Sequence, residues 1–330
     1  MKMDEKKLKV AVVGMGKMGL LHASIVNVLP ESELTAVYEK NSMSRRLMKR
    51  ILPNTLFVDN AEQLADLGLD AVFVTTPIPS HFSIAQTLYQ NRVACNIFVE
   101  KTLTKNYSES LELCRLAKNS GGVSMVGYLR RFMVTFRKAK ELLDQNAIGE
   151  ILSFSINALS SDFFGVKESE ASNSRGGVLR DLGSHAIDLA LWFFGEVRVE
   201  KSRIDSLTGL GAEDSVYCAV RAKSDSVKGE LTISWCAEGY RMPEVNFVIK
   251  GSKGVITVND DNVSLLTGEK STSWFRHDLG DNVPFWLGAP EFYREDETFV
   301  KSISSDLSAL IDFESASKVD KFIEDIQQGA

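Results

Sequence analysis

The sequence predicts an α/β protein, with a doubly wound parallel sheet in the first third and an α+β domain with a mostly antiparallel sheet in the rest. Three observations predict it. Short β-branched runs alternate with helical stretches up to Gly127. The first run leads straight into Gly14-Met15-Gly16-Lys17-Met18-Gly19. Beyond Gly127, strand-like runs follow one another with few helices between them, as antiparallel neighbours do.

The elements follow in order. Lys9–Val13, Leu34–Tyr38, Ala71–Thr75 and Val93–Val99 read as strands, because they are short, continuously apolar and rich in β-branched residues. Leu20–Leu29, Met43–Leu52, Ala61–Leu67, Ser80–Gln90 and Tyr107–Asn119 read as the helices between and after them, and Val123–Val126 as the last strand. Continuously apolar strands that alternate with helices indicate a parallel sheet covered on both faces. A helix over Phe132–Asn146 then leads to an alternating strand at Glu150–Leu159. A Ser- and Gly-rich loop precedes a helix at Ser184–Phe194. Strands follow at Val197–Ile204, Ser215–Ala222, Val227–Cys236, Val245–Lys250 and Val255–Val258, and helices close the chain at Glu291–Ser302 and Phe313–Gln328.

The chain has 330 residues, which at roughly 150 residues per domain suggests two domains. The pattern change places them at residues 1–127 and 128–330. With 38 basic and 44 acidic residues the formal charge is −6, which argues against nucleic acid or an anionic membrane held by bulk charge. No apolar run approaches the roughly 18 residues of a membrane helix, and Asp4 and Glu5 are unlike a secretory leader. Cys95, Cys114, Cys218 and Cys236 are scattered, as expected of reduced cysteines in a cytoplasmic protein with no metal site.

The glycine segment follows a strand and opens a helix, the setting in which GxGxxG binds a dinucleotide. The first glycine permits the turn, the second lets the backbone approach a pyrophosphate, and the third lets helix pack on strand. Met15, Lys17 and Met18 belong to the same loop. Glu39 lies 20 residues after Gly19, at the end of the second strand, where an acid binds the ribose hydroxyls and favours NAD. Lys40, Arg45 and Arg46 nearby leave room for NADP. Thr75, Thr76 and Pro77 end the fourth strand, where ligands bind in open α/β sheets.

A dehydrogenase of alcohols needs a base with a pKa near neutrality, and histidine supplies one. The chain has His22, His81, His185 and His277. His185 stands four residues after Asp181, on one face of a helix, so the aspartate can orient the imidazole. The alternative is that Asp181 caps the helix and His185 is a core residue.

Six segments occur in an order and spacing that resemble a known family: GMGKMGLLH from Gly14, TTPIPSH from Thr75, VEKTL from Val99, GYLRRF from Gly127, AIGEI from Ala147 and GGVLRDLGSHAIDL from Gly176. The family is the glucose–fructose oxidoreductase / inositol dehydrogenase / MocA group of NAD(P)-dependent sugar and polyol dehydrogenases, and the resemblance covers nearly the whole chain. It implies a Rossmann domain followed by a domain with a large open, mostly antiparallel sheet. It also implies that Lys101, Asp181 and His185 form the active site, with His185 as general base, Asp181 as its partner and Lys101 as a cation at the reacting oxygen. Glu100, Lys101 and His81 fall at family positions around the cofactor. The resemblance further implies that Tyr128 and Arg130 face the substrate together with Lys101, Asp181 and His185, the alternative for the arginines being a solvated helix start or an ion pair. The usual Glu-Lys-Pro reads Glu100-Lys101-Thr102 here.

The expected activity is hydride transfer between a secondary ring hydroxyl of a sugar, sugar nucleotide or inositol and the nicotinamide of NAD, with NADP as second choice. Alternatives are a non-catalytic dinucleotide-binding regulator, or a reductase of a non-sugar carbonyl or bilin-like substrate. Substrate choice is expected in the loop Ser160–Arg175 and on the sheet, where Trp235 and Tyr240 lie. The open face of such a sheet is usually covered, so a homodimer or homotetramer is expected, with a small-molecule substrate and neither nucleic acid nor membrane as partner.

Overall fold

The computed structural model describes residues 6–165, 175–209, 211–222, 226–305 and 309–329. The chain divides into two compact units. One comprises Met1–Gly127 with Val283–Lys318, the other Tyr128–Asn282 with Val319–Ala330. The first division falls at Gly127. Residues 283–318, expected in the second domain, belong instead to the first unit.

In the first unit, the described residues form β1 (Leu8–Val13), α1 (Lys17–Val28), β2 (Ser32–Tyr38), α2 (Ser42–Ile51), β3 (Leu56–Val58), β4 (Ala71–Val74), α3 (His81–Gln90), β5 (Asn96–Glu100), α4 (Tyr107–Ser120) and β6 (Ser124–Gly127). The strands pair in parallel in the order β3-β2-β1-β4-β5-β6. Residues Val10–Val13, Ala71–Val74 and Ile97–Val99 are fully buried, as continuously apolar strands covered on both faces must be. The three-residue β3 is too short to register as a periodic run. Ala61–Leu67 is a 3-10 helix rather than an α-helix.

The return segment, residues 283–318, carries the helix α7 (Pro290–Ser304). The side chains that hold it are apolar. Phe285, Tyr293 and Val300 form one buried cluster with Ile25 and Leu29 of α1. Phe299 meets Phe73 edge-on at 5.1 Å between ring centroids and lies 5.7 Å from Phe98. Aromatic burial of this kind, and not chain proximity, places the segment on the parallel sheet.

The second unit contains α5 (Val134–Asp144), β7 (Ile151–Leu159), α6 (Ser184–Phe194), β8 (Val197–Asp205), β9 (Ser215–Ala222), β10 (Val227–Ser234), β11 (Glu244–Gly251), β12 (Val255–Val258), β13 (Asn262–Thr267) and β14 (Lys270–Phe275), and the part of the last helix, α8 (Phe313–Gln328), from Val319 on. Among the described residues the strands form one sheet in the order β14-β13-β12-β11-β7-β10-β9-β8. β7 and β10 pair in parallel, and the other pairings are antiparallel. Polar β13 and β14 carry too few apolar residues to be read from pattern. The helix α6 packs on β7, β8 and β10, with Phe194 stacked on Phe154 at 4.2 Å. It is buried on nearly every face, which explains its apolar sequence.

Candidate functional site

The strand order of the first unit reverses between β1 and β4, the switch point at which open α/β sheets bind ligands. A cavity of about 460 Å³ opens there. Its floor is Gly14–Met18, one side is Tyr38, Glu39 and Lys40, and the other is Thr75–Pro77 with Ser80 and Ile84. Tyr38, Ser80 and Ile84 are lining residues that sequence reading missed. Their signal was only adjacency to Glu39 and to the Thr75–Pro77 segment.

The glycines meet their assigned demands. Gly14 has φ +92°, and a Cβ there would lie 2.7 Å from Thr76 Cγ2. A Cβ on Gly19 would lie 1.9 Å from the Gly14 carbonyl oxygen. A Cβ on Gly16 would meet no protein atom within 4 Å, so the open space over Gly16 is left to a ligand. No side chain caps α1, and its first turn carries no acid. Its N–H groups are therefore available to an anion. The Thr75 hydroxyl donates to the Val13 and Gly14 carbonyls at 3.0 and 2.9 Å, tying β4 to the glycine loop.

Glu39 accepts from the Met15 N–H through Oε2 at 2.7 Å and from the Asn41 N–H through Oε1 at 2.8 Å. Each carboxylate oxygen has a further lone pair for a ribose hydroxyl. Arg45 is committed elsewhere. Its guanidinium donates to the Glu39 and Lys40 carbonyls at 2.6 and 2.9 Å and pairs with Asp59 at 3.1 Å.

His81 and Glu100, both expected at the cofactor, have buried polar partners. His81 is fully buried, and its ring nitrogens lie 2.9 Å from the Thr102 carbonyl and 2.6 Å from the Thr76 carbonyl. It ties the strand-end loop of β5 to that of β4. Glu100 turns inward to His22, with Glu100 Oε1 2.9 Å from His22 Nε2. His81, Glu100 and Lys101 are not among the residues lining the cavity. A buried imidazole and carboxylate need polar partners, and these are supplied by the interior. Lys101 follows Glu100 at the end of β5, and its peptide bond to Thr102 is cis.

In the second unit, Asp181 falls in a π-helical turn, Leu179–Gly183, that runs directly into α6. The N-cap positions of the two segments are Val178 and Gly183, neither with a side-chain cap bond, and Asp181 lies inside the π-helical turn. Asp181 Oδ2 lies 3.5 Å from Arg175 Nη1. That guanidinium also pairs with Asp162 at 2.5 Å and lies over the rings of Phe163 and Trp235 at 5.5 and 5.9 Å. His185 opens α6, is mostly buried, and meets the Tyr128 ring edge-on at 6.4 Å.

Tyr128 is fully buried. Burial, and then the charges of Asp320 and Asp188, hold its phenol well above its usual pKa. Arg130 is also buried and donates through Nε and Nη2 to Asp260 at 3.2 and 3.1 Å. This ion pair engages the Nε–Nη2 edge of the guanidinium and braces residues 128–282 internally. Arg131 pairs with buried Asp188 of α6 at 2.6 Å, and Arg180 lies 3.6 Å from Asp320 of α8. Trp235 is 1% exposed and packs on Phe163, which assigns it to the core. Tyr240 is partly exposed, and His277 lies on the surface beside Asp278. Residues 166–174 of the loop expected to select the substrate lie outside the described residues.

A switch-point cavity with this glycine floor and acid defines a dinucleotide-binding oxidoreductase domain. Comparison with known proteins identifies the family. Residues 8–128 match the oxidoreductase family with NAD-binding Rossmann fold, and residues 136–257 match the GFO/IDH/MocA C-terminal domain. The chain belongs to the GFO/IDH/MocA oxidoreductase family. It is 28% identical over 209 residues to a scyllo-inositol 2-dehydrogenase (NAD(+)) of Bacillus subtilis, a match spanning 63% of this chain and 58% of that protein. It is 23% identical over 323 residues to a myo-inositol 2-dehydrogenase of Thermotoga maritima, spanning 90% and 89%. A levoglucosan dehydrogenase solved in complex with NADH superposes with a TM-score of 0.88 at 21% identity, over 98% of this chain and 97% of that one. Among the described residues, no helix is long and apolar enough to cross a membrane.

Proposed function

We propose that the protein is an NAD-dependent dehydrogenase that interconverts a secondary ring hydroxyl of a sugar, sugar nucleotide or inositol with the corresponding ketone. The cavity at the switch point carries the reading. Its residues suit the dinucleotide: the open N-terminus of α1 for the pyrophosphate, Glu39 for the ribose hydroxyls, and Thr75–Pro77 for the nicotinamide side. The commitment of Arg45 to carbonyls and Asp59 favours NAD over NADP. The inositol dehydrogenases among its relatives support the substrate class.

When bound, NAD supplies the acceptor for the hydride that leaves the substrate carbon. His185 takes the hydroxyl proton, for which an imidazole is suited near neutral pH. Asp181 stabilises the imidazolium that results. Lys101 donates a hydrogen bond to the reacting oxygen and favours its developing negative charge. The Tyr128 ring, edge-on to that of His185, packs beside the proposed base. Unbridged cysteines fit a reducing cytoplasm, and we assign the open face of the second sheet to pairing in a homodimer or homotetramer.

The test is a panel of sugars, sugar nucleotides and inositols with NAD and NADP, followed by NADH or NADPH absorbance. Reduction of NAD by at least one polyol or sugar is expected. Failure to bind either dinucleotide at about millimolar concentration, weaker than enzymes of this kind need, refutes the reading.

A further inference from the structure

The first unit encloses a charged cluster that the dinucleotide cavity does not use. His22 on α1 is 0% exposed. Its Nδ1 lies 2.8 and 2.9 Å from the two carboxylate oxygens of Asp296 on α7, and its Nε2 lies 2.9 Å from Glu100 Oε1. The second oxygen of Glu100 accepts the Lys101 N–H at 3.0 Å. A continuous path of polar contacts therefore runs from α7 through α1 to the backbone of Lys101.

Both ring nitrogens of His22 face carboxylate oxygens, and ionised carboxylates only accept hydrogen bonds. With both carboxylates ionised the ring donates from both nitrogens and is the imidazolium, although burial pushes the Asp296 carboxyl up while the His22 charge and hydrogen bond pull it down. Burial alone would lower its pKa, but Asp296 and Glu100 outweigh burial and hold it well above the usual value. Burial opposes ionisation of Glu100 too, and the His22 hydrogen bond and charge, with Lys101, hold that carboxyl below its usual pKa. The neighbouring acids are Glu295 and Glu291 of α7. Phe73 and Phe98 pack against the His22 ring at 5.7 and 5.2 Å.

A buried ion cluster is a poor way to gain stability, since apolar residues of similar volume often serve as well or better. Its value lies in fixed geometry. We propose that His22 is a positioning residue for the reaction, holding Glu100 and, through it, the backbone of Lys101. This rests on the reading of Lys101 as the cation at the reacting oxygen.

The experiment compares His22→Gln in the wild-type and Lys101→Ala backgrounds, with Asp296→Asn as the conservative second variant. In the wild-type background kcat should fall on the order of 10- to 100-fold, the scale of a small misplacement. NADH affinity by fluorescence titration should stay within about threefold, because the lost interaction is not a binding one. In the Lys101→Ala background the same change should cost little more, as expected of residues acting as a unit. Equal losses in both backgrounds, or an unchanged wild-type rate in both His22→Gln and Asp296→Asn, overturn the proposal. A wild-type rate in Lys101→Ala itself overturns the parent reading, and this proposal with it. A readout independent of turnover is nitrogen NMR of histidine-labelled protein without dinucleotide. The resonances lost in His22→Gln should be those of a doubly protonated ring at about pH 8, above the ordinary histidine range, and a neutral ring overturns the proposal.

Discussion

The Met15 N–H donates to Glu39 Oε2 across 2.7 Å. The acid we propose for the ribose is thus oriented by the glycine loop we propose for the pyrophosphate. Two sides of the switch-point cavity, 24 residues apart in sequence, are held in register by this bond.

Glu39→Ser should therefore act on both halves. It removes the ribose acceptor and one support of the loop. Hydrogen bonds to charged groups contribute about 1.5–3 kcal/mol, so the KM for NAD should rise by roughly tenfold or more. The NAD/NADP preference should relax toward NADP, since the negative charge that repels the 2′-phosphate is gone. Steady-state kinetics with both cofactors checks this, and an unchanged ratio assigns the preference to another residue.

Gly19→Ala should abolish dinucleotide binding. The added methyl would sit 1.9 Å from the Gly14 carbonyl oxygen and 2.9 Å from the Thr75 hydroxyl, so the loop must move. Calorimetric titration with NADH is the measurement. Wild-type affinity would show that the loop can shift at no cost.

Lys101→Ala and His185→Ala should each lower kcat by at least about a hundredfold, the range of general acid–base contributions. Dinucleotide affinity should be nearly unchanged, because neither residue lines the cavity. Wild-type turnover in either variant would remove that residue from the mechanism.

Glu295 gives a prediction about pH. It is fully buried, and neither carboxylate oxygen has a hydrogen-bond partner. Burial, and then the charges of Glu100 and Asp296, raise its pKa well above the usual carboxylate value. The folded state therefore retains a proton that the unfolded chain releases, and stability falls as pH rises above the unfolded pKa of about 4.3 until the folded pKa is passed. Glu295→Gln removes this term. It should raise Tm near neutral pH, by about 2–4 °C per kcal/mol relieved for a domain of this size, and should have little effect near pH 4. Thermal melts across that range decide it, and a variant less stable than wild type near neutrality refutes it.

Local pattern made much of this protein legible. The strand Ala71–Val74, the helix Ser184–Phe194 and the glycine turn after β1 depend on side chains within a few residues of one another, so periodicity and glycine spacing reveal them. The π-helical turn before α6 was hidden, because its sequence differs little from that of an ordinary helix start.

What the sequence by itself determined was the order of most elements and the dinucleotide fingerprint with its acid, and its family resemblance supplied the candidate set Lys101, Asp181 and His185. Only the tertiary structure decided the partners. His22 and Asp296 are 274 residues apart, Arg130 and Asp260 are 130 apart, and Arg131 and Asp188 are 57 apart. Each pair forms because a charge taken out of water must find an opposite charge in the interior. Which one it finds depends on how distant segments pack, and the return of residues 283–318 to the parallel sheet is the packing that turned His22 and Glu100 inward.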